Sequence, residues 1–330
     1  MNHQLRPLTL GEILDRTAEL YRTHFALFAG ISVTFAAAML AIQLLYMRTL
    51  VMMGYPNLMA NARWGSATAA VLEALAILLL AGLSIVANNR AVAWVYLDQP
   101  ATIREALRGV KPRLGRYLWL MTNVSFRAWG PIAVLYVAYF ALLFTLLPHD
   151  FMSNPSAIQA SMNRNPASIL EFGVGMLILA PLMLAALIYG VLMSLRYSLS
   201  VPACVVEDLA ARKAIKRSIE LSLGSRGRIF VLGLLVGMVR MLLGVLFGFP
   251  LILLAVKHPG QPMAMRWLFL QQIGEFLSNA LIGPIYAIGL TLFYYDQRIR
   301  KEGFDIEWMM QAAGMTPPGT QVELTAPEGA

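Results

Sequence analysis

Long apolar blocks alternate with short stretches in which apolar and charged positions recur at helical spacing. Six of the blocks reach the ~20 residues that cross a bilayer as helix, over 25–50, 67–97, 117–147, 169–200, 229–256 and 267–295. Several run past 25 residues, which implies tilt or interfacial ends. The pattern predicts an all-α integral membrane protein: six transmembrane helices arranged as three hairpins, each preceded by a cytoplasmic interfacial amphipathic helix.

The first short stretch, LTLGEILDRTAELYRTHF, runs from Leu8 to Phe25. Leu10, Ile13, Leu14, Thr17, Tyr21, Phe25 and Phe28 share one helical face, and Glu12, Asp15, Arg16, Glu19 and Arg22 fill the other. Thr9 is the expected N-cap, with Glu12 closing a capping box. A helix of this kind leading into a span belongs at the membrane interface. The stretch 210–221 repeats the pattern, with Asp208 as its expected cap. ILDRTAEL (13–20) aligns without gaps to AIKRSIEL (214–221), setting Arg16 over Arg217, Thr17 over Ser218 and Glu19 over Glu220. TIREALRGVKPRLGRYLWL fits more loosely, with Ala106 and Leu107 over Ile13 and Leu14. Either an internal triplication or convergence on a generic amphipathic pattern accounts for this.

Composition agrees with the pattern: 58% of the 330 residues are hydrophobic and 13% are charged, about half the charge of a soluble domain. The +8 net charge is explained by its distribution. Most Lys and Arg lie in the amphipathic stretches and after the last block. Only Arg48, Arg63, Arg164, Lys257 and Arg266 fall between the paired blocks. The positive-inside rule then places both termini in the cytoplasm of a bacterial inner membrane. Anionic lipid headgroups are the expected partners of these basic segments, and nucleic acid is not required. Another membrane or cytoplasmic protein is a further candidate partner. No short apolar stretch ends in a small-x-small site, so no cleaved signal is expected. The one cysteine, Cys204, excludes an intrachain disulfide.

The stretches LTLGEILDRTAELYRTHF, RYSLSVPACVVEDLAARKAIKRSIELSLGSRGRIF and LTLFYYDQRIRKEGFDIEWM together resemble a broad group of bacterial integral membrane proteins. That group is similar to the membrane domain attached to some glycerophosphoryl diester phosphodiesterases. The resemblance implies a membrane module covering almost the whole chain, a single domain over 1–308. In the composite proteins catalysis belongs to a separate barrel, and too few residues follow the last block here to form one. No catalytic residue carries over. The tail 309–330 lacks apolar periodicity and reads as a disordered cytoplasmic segment.

Candidate chemistry is sparse. His3, His24, His149 and His258 fit no metal-ligand spacing, His149 and Asp150 form the one adjacent acid–base pair, and no nucleotide-binding or hydrolase motif occurs. No enzyme activity, metal or cofactor is expected. Charges inside spans are costly and point to function by default. Arg90, Arg127 and Arg240 fall roughly 10–18 Å from the inner boundary, taking 1.5 Å per residue. With Asn123 they are the candidate site: a polar pocket for a lipid phosphate, or arginines that snorkel and brace the bundle. Glu73 and Glu275 fall in the outer halves, at a depth that argues against pairing with the arginines. Gly233-x-x-x-Gly237 and Gly244-x-x-x-Gly248 suggest close helix approach. The leading expectation is a non-enzymatic scaffold or lipid-handling module, and the alternative is a transporter or channel for a small solute.

Overall fold

The helices follow the apolar blocks closely. The computed structural model describes residues 6–52, 63–96, 99–146, 166–257 and 265–303, and every regular element among them is helical. The His149–Asp150 pair, His3, His258 and the tail 309–330 lie outside the described residues.

Helix α1 (Leu10–Thr23) begins at the expected capping box. The Glu12 N–H donates to Thr9 Oγ1, and the Thr9 N–H donates to Glu12 Oε2 at 2.7 Å. It buries Ile13 and Thr17 and leaves Asp15, Glu19 and Arg22 exposed. His24 alone separates it from α2 (Phe25–Met52). There follow α3 (Arg63–Tyr96), α4 (Ile103–Val110), a 3-10 turn (Lys111–Arg113) and α5 (Leu114–Leu146). Next come α6 (Pro166–Tyr197), α7 (Ser200–Val206), α8 (Ala211–Ser222) and α9 (Arg226–Lys257). Last come α10 (Met265–Leu277), a π-helical turn (Ser278–Ile282) and α11 (Gly283–Glu302).

Five stretches are long and apolar enough to cross a membrane: Phe25–Thr49, Ala69–Tyr96, Leu170–Val206, Arg226–Leu254 and Trp267–Glu302. The sixth long helix, α5, has 33 residues and carries Asn123, Ser125 and Arg127 in its first half. The chain is thus a multi-pass membrane protein with five such helices among the described residues.

The three short helices carry equivalent buried positions. Ile13 and Thr17 of α1 correspond to Ala106 and Val110 of α4 and to Ala214 and Ser218 of α8, and all six are buried. Thr102 caps α4 through the Glu105 N–H, as Thr9 caps α1. Helix α8 departs from this scheme. Its N-cap is Ala210, with no side-chain bond, and Asp208 does not cap it. Asp208 adopts φ +54° and turns its carboxylate to Arg113 and Arg116, two charges that attract it more strongly than a helix end.

Packing runs in a ring. Helix α2 pairs with α3, α5 with α6, and α9 with α10 and α11. Each short helix rests on the second long helix of the preceding pair: α4 on α3, and α8 on α6 and α7. The first, α1, closes the circuit on α11. The first long helices repeat the order, with α5 against α3, α9 against α6, and α2 against α10 and the π turn. One buried cluster joins the short helices to α3, α7 and α11 and includes Ile13, Val86, Ala106, Leu199, Ala214 and Phe293. The outward faces remain apolar, with Leu177, Phe126 and Leu242 exposed, as lipid-facing surfaces require.

Candidate functional site: a polar seam with two cavities

Polar side chains line the contact between α2, α3, α9 and the α10–π–α11 segment. The Thr291 hydroxyl lies 3.1 Å from Asn89 Oδ1, and both residues are buried. One helical position away, Asn88 Nδ2 donates to Ser32 Oγ at 2.9 Å and to the Ser84 carbonyl at 2.8 Å. Further along α10–α11 toward the start of α10, Arg240 donates to Asn279 Oδ1 at 2.5 Å. Beyond it, Gln43 Nε2 donates to Glu275 Oε2 at 3.4 Å, a long contact. Glu73 of α3 lies within electrostatic reach of Glu275.

Two cavities open along this seam. One, of about 280 Å³, is lined by Arg240, Gly244, Phe247, Gln271, Gly274, Glu275, Ser278 and Asn279. The other, of about 290 Å³, includes Ser32, Met39, Ser84, Gly233, Gly237 and Tyr286, again with Arg240 and Asn279. The Arg240–Asn279 pair therefore borders both.

The sequence explains why space remains there. Asn279 sits in the π turn, whose wider winding breaks the regular stacking of one helix on the next, and π turns occur often at functional sites. The glycines of α9 do not draw helices together as their spacing suggests. A Cβ at Gly237, Gly244 or Gly248 would meet nothing within 4 Å, and at Gly233 only Tyr286 at 4.0 Å. Their missing side chains leave volume beside the seam. Close approaches to α9 fall instead at Gly274, where a Cβ would lie 2.6 Å from Phe247, and at Gly289, where it would lie 2.7 Å from Leu232.

Electrostatically the first cavity is unusual. It holds a guanidinium and a carboxylate, yet among the described residues neither Arg240 nor Glu275 makes an ion pair. Each is held by a neutral amide instead, Arg240 by Asn279 and Glu275 by Gln43.

Of the four residues singled out from the sequence, Arg240 alone lines these cavities. Arg90 donates to the Gly109 carbonyl at 2.9 Å and lies over the Trp94 ring at 5.1 Å, tying α3 to α4. Asn123 bonds back to the Trp119 carbonyl of its own helix at 2.8 Å. Arg127 is exposed on α5. Glu275, which the sequence sets at a different depth from the arginines, shares a cavity with Arg240, and Asn279 is not among the sequence candidates. Their signal in the sequence is the run QQIGEFLSN, which sets Gln271, Glu275, Ser278 and Asn279 at i, i+4, i+7 and i+8 within an otherwise apolar helix.

A second polar cluster occupies the opposite end of the bundle and is fully engaged. Arg217 bonds Glu207 at 3.0 Å and Glu302 at 2.7 Å, and the Tyr294 hydroxyl donates to Glu207 at 2.6 Å. Partial burial opposes the Arg217 charge, but the bonds to Glu302 and Glu207 outweigh it and raise its pKa above the ordinary arginine value. Such a network anchors helices to one another. Among the described residues no group of three His, Cys, Asp or Glu is placed to hold a metal ion. Neither a family model, nor a curated protein, nor a solved structure matches this chain.

Proposed function

We propose that the chain is a non-enzymatic inner-membrane protein that handles lipid, holding a polar headgroup in the seam beside Arg240. The reading takes α5 as a sixth span, both termini as cytoplasmic, and α1, α4 and α8 as interfacial helices seated on anionic headgroups. The charge asymmetry of the loops supports that orientation, and the resemblance to membrane modules of phosphodiesterases agrees with it at the level of fold alone.

The observation that carries the reading is an intramembrane arginine bordering two cavities with no carboxylate in ion-pair contact among the described residues, Glu275 acting on it only from further away. A purely structural arginine at this depth would pair with Glu275, because unpaired charge is expensive in low dielectric. An arginine left with free donors suits a phosphate. The test is lipid that co-purifies with the full chain. Arg240→Gln is expected to strip phosphate-containing lipid while the protein stays folded, and unchanged lipid content would refute the reading.

A transporter is the second reading, and one observation favours it: two cavities meet at a single hydrogen-bonded pair, Arg240 and Asn279, beside a π turn. Breaking that pair would join the cavities. Solute flux in proteoliposomes lacking any lipid selectivity would favour transport. Stable capture of a membrane enzyme with neither property would favour a scaffold.

A further inference from the structure

We infer that the cavity between Arg240 and Glu275 takes a zwitterion: a phosphodiester that also carries a primary ammonium group, as in an ethanolamine-type headgroup. The inference rests on the lipid-handling reading above and narrows its substrate class.

The separation of opposite charges carries it. Arg240 spends one terminal nitrogen on Asn279, which leaves most of its planar fork for phosphate oxygens. Glu275 engages only Oε2, and that at 3.4 Å, so it retains acceptors for an ammonium. Glu275 and Asn279 are i, i+4 on one helix, so the carboxylate and the guanidinium's anchor lie roughly 6 Å apart along its axis. Two methylene carbons separate phosphate ester from ammonium in an ethanolamine headgroup, a span that reaches both poles.

Simpler ligands fit less well. A plain anion would pair with Arg240 but face Glu275, whose charge Glu73 reinforces from within electrostatic reach. A plain cation would face Arg240. A quaternary ammonium prefers several aromatic faces, and Phe247 is the single aromatic residue among the described residues that line this cavity. A primary ammonium offers three donors to Glu275 and Gln271 instead.

The test uses the full chain, delipidated in detergent and then offered equal mole fractions of phosphatidylethanolamine, phosphatidylcholine and phosphatidylglycerol. Bound lipid is counted by native mass spectrometry. The wild type is expected to retain the ethanolamine lipid about tenfold over either competitor, the factor that one modest polar contact supplies. Arg240→Gln should reduce retention of both phosphatidylethanolamine and phosphatidylglycerol, whereas Arg240→Lys should restore part of it. Glu275→Gln should abolish the preference for ethanolamine over glycerol while glycerol-lipid binding persists or rises. Soluble glycerophosphoethanolamine is added as competitor. Displacement identifies a free zwitterionic solute as the ligand, and resistance identifies the acylated lipid. Equal retention of the three lipids, unaltered by Glu275→Gln, overturns the zwitterion and leaves lipid handling standing. Retention that ignores Arg240→Gln as well overturns both.

Discussion

Asp296 of α11, wholly buried, accepts the backbone N–H of Leu8 at 2.8 Å across 288 positions of sequence. The same carboxylate accepts from Arg300 at 3.0 Å, Arg228 at 3.2 Å and Gln297 at 3.1 Å. Both arginines return to the Leu8 carbonyl, at 2.8 Å and 2.6 Å. Both backbone polar groups of Leu8 are thus satisfied by side chains of α9 and α11, which fixes the entry to α1. Asp296→Ala would leave a buried N–H without its acceptor and two guanidiniums without their carboxylate, holding only the Leu8 carbonyl. The expected cost is about 3 kcal/mol, the low end for a broken buried pair, because both arginines still share solvent. Asp296→Asn should lose less, since its amide oxygen can still accept from Leu8. Thermal unfolding in detergent measures both, and an unchanged Tm for the alanine variant would contradict the clamp.

Arg90 reaches the Gly109 carbonyl only because residue 109 has no side chain. A Cβ there would fall 2.6 Å from Arg90 Nε and 2.7 Å from Cζ. Gly109→Ala gains about 1 kcal/mol of helix propensity within α4. It forfeits a charge-assisted hydrogen bond of about 1.5–3 kcal/mol. The net expectation is destabilisation by roughly 1 kcal/mol. A stabilised Gly109→Ala variant would show that the contact carries no weight. Arg90→Met combined with Gly109→Ala should recover the propensity gain.

Local features of this fold were legible in the sequence and long-range ones were not. Thr9 and Glu12 stand three residues apart, so their capping box follows from spacing alone. The apolar blocks set the long helices because burying unpaired peptide groups in hydrocarbon is prohibitive. Arg90, by contrast, was grouped with Arg127 and Arg240 by depth along separate helices. Depth gives no rotation, and rotation sends Arg90 to Gly109, Arg127 outward and Arg240 to the seam. The expected cap Asp208 is drawn away because two arginines from another segment compete for it. Glu275 was set apart from Arg240 by depth, yet a long side chain and a π turn bring them to one cavity.

The capping box has a pH signature. Hydrogen bonds from the Thr9 backbone N–H, then the Thr9 hydroxyl, then Arg6, lower the Glu12 pKa from 4.5 to about 2. The folded pKa is below the unfolded one, so the stabilisation is complete above 4.5 and fades as pH falls toward 2. At pH 3.5 the start of α1 should therefore remain intact. Carboxyl NMR of Glu12 tests this directly, and titration at an ordinary value near 4.5 would deny the capping box its strength. Glu12→Gln should remove the low-pH transition seen at the Thr9 amide.

Thr17 and Ser218 occupy the same place in the internal alignment and are equally buried, yet they do different work. The Thr17 hydroxyl donates to Ile13 O of its own helix at 2.7 Å, a carbonyl already engaged in the helical ladder. The Ser218 hydroxyl donates to Arg196 O at 3.0 Å and accepts the Leu199 N–H at 3.1 Å. Those two groups are left over where α6 ends and α7 begins, so Ser218 fills a gap that a helix break creates. Ser218→Ala should leave a buried N–H unpaired and cost about 1–3 kcal/mol, whereas Thr17→Val, nearly isosteric, should cost under about 1 kcal/mol. Equal losses for the two variants would mean that Ser218 does not bridge the break. Unequal losses would mean that one position, buried alike in the first and third short helices, docks α1 by packing and α8 by hydrogen bonding.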